Sequence, residues 1–245
     1  MDLRRAFSGY RFYIAVALAL SILLRTLFDI VGFSDSLTFV YLQQFPFGLS
    51  DYTPFAVIFC VLPFADSFCE DYNTSYAHNI TVRTGSKRYS LNRFISNALV
   101  GGITQGLIVT VVLLVCFCCA DLPDTQESVS FMQGTIWYDL NLLLRFHSIL
   151  FILLRVLLAF LFGSLWASVG LCISAFSTNR YITLVAPFVI YQMLWRLIPD
   201  PRFSPLETLV GNSVPSLLLL ILNQIILILI CGIITVKQIQ KRILL

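Results

Sequence analysis

An all-α integral membrane fold with six transmembrane helices is what this sequence predicts, on three observations. Of its 245 residues, 58% are hydrophobic and only 12% are charged, against roughly 45–50% and about 25% in ordinary soluble domains. Mean hydropathy is +0.86. The apolar residues gather into six runs separated by polar stretches, and about 20 such residues cross a bilayer as a helix. The runs lack the strict alternation of barrel strands.

The runs cover about residues 10–31, 52–68, 94–120, 146–176, 181–198 and 214–236 and read as one membrane domain over 1–245. The first contains Arg25 and Asp29, and no A-x-A site follows it, so it reads as a span and not as a cleavable signal peptide. Asp51 and Pro54 suit the start of the second. Pro63 lacks an N–H and should bend it. Ser90 is a candidate cap for the third, which carries Gly102-x-x-x-Gly106, a spacing that permits close helix approach. The fourth holds His147 near its outer boundary and Arg155 within it, and the fifth holds Pro187 and Gln192. Ser204-Pro205-Leu206-Glu207 is a capping box with proline at the first helical position, so 199–215 should form a small outer helix. The sixth run has Asn223 and Gln224 near its middle. The seven cysteines show no metal-ligand spacing and read as small buried hydrophobes.

Charge sets the orientation, since lysine and arginine accumulate on the cytoplasmic side. With six spans, Arg4, Arg5, Arg11, Arg83, Lys87, Arg88, Arg93, Arg180, Lys237, Lys241 and Arg242 fall on one side. Arg145, Arg196 and Arg202 fall on the other, among acidic loops. Both termini and residues 69–94 should therefore be cytoplasmic. Asn73-Thr74-Ser75 and Asn79-Ile80-Thr81 match the glycosylation pattern, which matters only on an outer loop.

The polar segment 69–94 reads as a short amphipathic helix, a basic turn and the start of a span. Asn73 or Thr74 should begin the helix and Gly85 should end it, with Arg83 in the last turn. Tyr76 and Ile80, at i,i+4, share a face. Just before it, Asp66 and Glu70 sit near the end of the second span, where carboxylates oppose the helix dipole. They read either as a solvated helix end or as ion-pair partners of Arg83, Lys87 or Arg88.

Polar groups at membrane depth mark pairs or functional sites. Arg25, Asp29, Asp66, Arg155, Gln192, Asn223 and Gln224 are the candidates here. Asp29 should pair with Arg25 or with Arg155; a substrate contact at Arg155 is the other reading. There is no Walker A sequence and no H-E-x-x-H or G-x-S-x-G motif, so no catalytic, cofactor-binding or metal site is expected on this chain.

The run LPFADSFCEDYNTSYAHNITVRTGSKRYSLNRF, residues 62–94, resembles the second-to-third-span region of bacterial ABC-2-type transporter permeases. It shows a Leu-Pro-Phe-Ala end of the second helix, an acidic turn, a tyrosine-containing short helix and a basic Arg83-Thr84-Gly85-Ser86-Lys87-Arg88-Tyr89 stretch. The resemblance implies a multi-pass protein of the bacterial cell membrane that pairs with a second permease copy or paralogue. It also implies two separate ABC ATPase subunits, which bind ATP and magnesium, while this chain binds no cofactor and no nucleic acid. The short helix would be a coupling helix, with Asp71, Tyr72, Tyr76, Ile80, Arg83, Lys87 and Arg88 at the ATPase. The small size is similar to that of permeases exporting peptides, lantibiotics in particular. A permease for a drug, lipid or glycan precursor is the alternative, as is a membrane anchor or assembly factor that moves nothing.

Overall fold

The structure, a computed structural model, describes residues 2–31, 52–119, 148–197 and 217–244. The outer helix expected over 199–215, Asp51, Arg145, His147 and Arg202 lie outside the described residues. Among the described residues the regular elements are all helices. They are α1 (Asp2–Ser8), α2 (Tyr10–Val31), α3 (Tyr52–Val61), α4 (Ser67–Asn73), α5 (Tyr76–Thr84), α6 (Ser86–Cys119), α7 (Ser148–Phe176), α8 (Arg180–Leu197) and α9 (Leu217–Leu244).

Four of these, α2, α6, α7 and α9, are long and apolar enough to cross a membrane. The other two expected spans look different. Helix α3 is apolar but has 10 residues, about 15 Å at 1.5 Å per residue. Helix α8 has 18 residues and carries Arg180 and Arg196 at its ends, with Pro187 inside.

The expected second span, 52–68, is interrupted. Helix α3 stops at Val61, residues 62–66 form a turn, and α4 resumes at Ser67. Pro63 supplies the cause, because it cannot donate to the helical ladder. The bend expected there is a full break. It also inverts the electrostatics. Asp66 takes the N-cap position of α4 and Glu70 its first turn, where a carboxylate is favoured by the dipole.

Because α4 runs on to Asn73, the short helix begins at Tyr76 rather than at Asn73 or Thr74. Its two ends are set by positive-φ residues, Ser75 at φ 56 and Gly85 at φ 80. Gly85, at ψ 142, occupies a region nearly exclusive to glycine. Helix α6 then starts at Ser86, so Ser90 does not cap it. The Ser90 hydroxyl instead donates to the Lys87 carbonyl at 3.0 Å.

Helices α6 and α7 form the centre, with 61% and 67% of their apolar windows buried, against 28% for α2 and 17% for α9. Their closest approach is at Gly101 and Gly163. A Cβ on Gly101 would stand 2.7 Å from the Gly163 carbonyl oxygen and 3.3 Å from that of Cys60. The contact is fastened by Asn97 Nδ2 donating to the Ala167 carbonyl at 2.6 Å and Ser164 Oγ donating to that of Ala98 at 3.0 Å. Of the expected motif, Gly102 meets Ser164 and Phe160, whereas Gly106 has nothing nearer than Val156 at 3.7 Å. The main core joins Leu23, Val57, Val109, Phe162 and Trp166 from α2, α3, α6 and α7. Cys60, Cys69 and Cys116 are buried as expected of small hydrophobes, but Cys172 and Cys231 are half-buried and Cys118 is exposed.

Four stretches meet at one end of the bundle. Arg5 Nη1 bonds Asp71 at 2.6 Å, and Asn73 Nδ2 donates to the Thr178 carbonyl at 2.9 Å. Gln240 Nε2 reaches Ser90 Oγ at 3.4 Å. Arg242 donates to the Phe176 and Ser177 carbonyls at 3.1 and 3.3 Å, placing a cation at the C-terminus of α7, where the dipole favours it. Helix α1, residues 67–90, the turn at 177–179 and the end of α9 therefore share that end.

Candidate functional site

A collar of charge surrounds this end. Asp71, on α4, is its hub. One carboxylate oxygen accepts from Arg5 Nη1 at 2.6 Å; the other accepts from the Tyr89 hydroxyl at 3.0 Å and from Arg93 Nη2. The Asp71 side chain is 2% exposed and that of Arg93 is fully enclosed. Burying a charge is costly unless it is paired and hydrogen-bonded; here the charges are paired, with Arg93 hydrogen-bonded through Nη2 while its Nε and Nη1 make no hydrogen bond among the described residues. Arg93 also donates to the Ser67 carbonyl at 2.9 Å and faces Asp2 at 3.3 Å. Its guanidinium lies over the Phe64 ring at 4.7 Å, a favourable cation–π placement.

Two further pairs extend the collar. Arg11 Nη1 contacts both oxygens of Asp66, at 2.8 and 2.7 Å. Glu70 lies between Arg5 at 3.6 Å and Arg180 at 3.5 Å. Asp2, Asp66, Glu70 and Asp71 thus balance Arg5, Arg11, Arg93 and Arg180. Burial disfavours the Arg5 charge, but the hydrogen bond and charge of Asp71, with Glu70, outweigh it and hold its pKa above the ordinary value. Nearby, burial pushes the Cys69 thiol up, and the thiol donates to the Thr178 carbonyl at 2.8 Å.

The expected partners of Asp66 and Glu70 were solvent or Arg83, Lys87 and Arg88. The ion pairs instead come from α1, α2 and α8, and Asp66 is buried. Arg93, assigned to a loop by its charge, lies two turns inside α6 and completes the hub.

Helix α5 is held against the collar. Ala77 and Thr81 are buried, and Ile80 packs on the cluster of Phe68, Tyr89, Leu171 and Ile239. Val82, on the opposite face, is 77% exposed, and Tyr76, beside Ile80, is 45% exposed. Arg5 also lies 5.7 Å from the Tyr76 ring. Of the expected coupling residues, Tyr76, Ile80, Arg83 and Arg88 line one groove. Asp71 is in the hub, Tyr72 lies under Arg242 at 5.1 Å, and Lys87 is exposed.

The intramembrane candidates do not converge. Arg25 and Asp29 approach to 4.0 Å within α2, both largely exposed. Arg155 is buried in α7 beside Cys116 of α6, so Asp29 takes the nearer of its two expected partners. Gln192 sits by Trp195 and Arg196. Asn223 is half-buried and Gln224 fully buried on α9. Among the described residues no group of three or more His, Cys, Asp or Glu is arranged to hold a metal ion. Chemically the collar is a joint: its paired charges fix five helices, α1, α2, α4, α6 and α8, to one another. No family model matches the chain, and no curated protein or solved structure matches it significantly.

Proposed function

We propose that the chain is the permease subunit of an ATP-driven ABC exporter of the ABC-2 type, working with separate ATPase subunits. One observation carries this reading. A short helix, α5, stands at the end of the bundle with one face open, and a buried ion-pair hub ties its supporting segment to α1, α2, α6 and α8. A coupling helix must be both accessible to a partner and rigidly linked to the spans. In this reading there are six spans in a bacterial cell membrane, both termini are cytoplasmic, and the permease pairs with a second copy or paralogue. ATP and magnesium bind the ATPases alone. A peptide of the lantibiotic or bacteriocin type is the substrate class proposed, on the family resemblance alone.

The exposed apolar residues of α5, not the packed Ile80, should meet the ATPase. Full burial of a side chain such as valine contributes about 1.5–3 kcal/mol, and each 1.4 kcal/mol is about tenfold in affinity. Tyr76→Ala with Val82→Ala is therefore expected to weaken ATPase recovery in a detergent pull-down by at least about tenfold and to abolish transport. The thermal midpoint of the permease should stay within about 2 °C. Full recovery together with full transport would remove α5 from the interface.

Orientation is checked separately. An alkaline phosphatase reporter fused after Thr84 should be inactive, and one fused after Thr125 should be active. The opposite pattern would invert the topology and place α5 on the wrong side for an ATPase.

A further inference from the structure

A groove of about 660 Å³ opens between α1, α5 and α6, within the size range of small-ligand sites. Its rim carries Arg83 and Arg88, both exposed, with Asn79 and Asn92 beside them. Its apolar wall includes Leu3 and Ile95. Asp2 also lines it, but Asp2 faces Arg93 at 3.3 Å, which offsets its charge. Among the described residues no ion pair engages Arg83 or Arg88. The rim is therefore net cationic and open.

The groove lies where α6 enters the bilayer. With 34 residues, α6 is about 51 Å long, so its first turns extend beyond a hydrocarbon core of about 30 Å. Arg88 and Asn92 stand in those turns. Below them Ile95, Ile103, Leu107 and Leu114 are all exposed. At 3.6 residues per turn these positions share one side of the helix with Arg88 and Asn92. Cations and amides thus sit directly above an apolar stripe at membrane depth.

We infer that this groove binds an anionic phospholipid from the leaflet at the collar end. The phosphate sits between Arg83 and Arg88, the glycerol lies against Asn92, and an acyl chain descends along the α6 stripe. Charge complementarity chooses the lipid over other occupants, and the ATPase of the proposed function would meet α5 from its far side at Val82, which does not line the groove. A second copy of this chain would bring the same two arginines, and a soluble anion would leave the stripe unused.

The test is native mass spectrometry of the full-length chain in a non-ionic detergent, titrated with dioleoyl phosphatidylglycerol or dioleoyl phosphatidylcholine. Phosphatidylglycerol should bind at least tenfold more tightly. Two cations near a membrane surface are each worth about 1 kcal/mol, so Arg83→Ala with Arg88→Ala should weaken it about 25-fold. The exposed pair Arg4→Ala with Lys241→Ala, outside the groove, should weaken it less than about threefold. Asn92→Trp, which fills the groove and keeps both charges, should cost about tenfold with an unchanged thermal midpoint. Four binding results would each overturn the inference, as would the oligomer result given last. The four are equal binding of the two lipids, an equal loss with the control pair, no loss with Asn92→Trp, and competition by sn-glycerol 3-phosphate at the concentration of the lipid itself. Such competition would mean a soluble anion site. Conversion of a dimer to a monomer by the arginine variants, with phosphatidylglycerol binding unchanged, would mean that a second copy covers this face.

Discussion

Asp71→Ala should be the most destabilising single substitution of a charged residue in this chain. It strips three hydrogen bonds from the collar at once, those from Arg5, Tyr89 and Arg93. More important is what it leaves. Arg93 has no exposed side-chain surface, and its remaining charge partner is Asp2 at 3.3 Å. Breaking a buried pair from one side costs about 3–5 kcal/mol, which corresponds to a fall of about 6–20 °C in thermal midpoint for a chain of this size. Arg5 is 41% exposed and regains water, so its share of the loss is small. Replacing both charges, Asp71→Ala with Arg93→Leu, should recover at least half of the fall, because the stranded cation is gone. Asp29→Ala, in the exposed Arg25 pair, should leave the midpoint unchanged. The measurement is fluorescence-detected thermal unfolding in detergent. A midpoint for Asp71→Ala equal to that of Asp29→Ala would show that the hub does not hold the fold.

Gly163→Val is expected to rank next, through packing rather than charge. A Cβ at residue 163 would meet the Gly101 backbone and stand 2.8 Å from the Cβ of Gln105. These atoms belong to a helix backbone or lie one bond from it, so no side-chain rotation relieves the clash. The two central helices would have to separate, stretching the Asn97–Ala167 and Ser164–Ala98 hydrogen bonds. Overpacking typically costs 1–3 kcal/mol, and the hydrogen bonds between membrane helices add about 0.6 kcal/mol each. A loss of about 2–4 kcal/mol, or about 4–16 °C, follows. Gly106→Ala supplies the contrast: its added methyl would find Val156 at 3.7 Å, ordinary contact, and alanine is the better helix former by about 1 kcal/mol. It should be neutral or slightly stabilising. If Gly106→Ala is the more damaging of the two, the α6–α7 approach described above is misplaced.

That contrast also shows what the sequence could reveal. The spacing Gly102-x-x-x-Gly106 marks a helix able to approach another closely. It does not show that residue 101 faces Gly163, because the partner lies on a separate helix. Helix positions were more legible, since each rests on a continuous apolar run. The first run gives α2 with its stated bounds, 10–31, and the fourth gives α7, which ends at residue 176 as expected. The sixth run was bounded at residue 236, yet α9 continues to Leu244. Lys241 and Arg242 in its last turn suit a helix C-terminus. The collar was the least legible part. Arg5 meets Asp71 across 66 positions, and no periodicity links residues so far apart. One local signal pointed to it: Arg93 adjoins Phe94 and Ile95 at the mouth of an apolar run, an expensive place for a charge without a partner.

The collar also has a history within each molecule, because its parts are synthesised at different times. Arg5 and Arg11 leave the ribosome before any of the carboxylates at 66, 70 and 71. With 66 positions between Arg5 and Asp71, at roughly 5–20 residues per second, the wait is about 3–13 s. In the proposed topology the first span can be placed in the bilayer through that interval while its flanking arginines are still unneutralised, the condition in which positive charge resists translocation. Only later do Asp66 and Asp71 arrive to claim them, then Arg93, then Arg180. In the proposed topology the same guanidinium groups serve twice: first as anchors that hold the nascent end back, and afterwards as the fittings that lock the finished bundle.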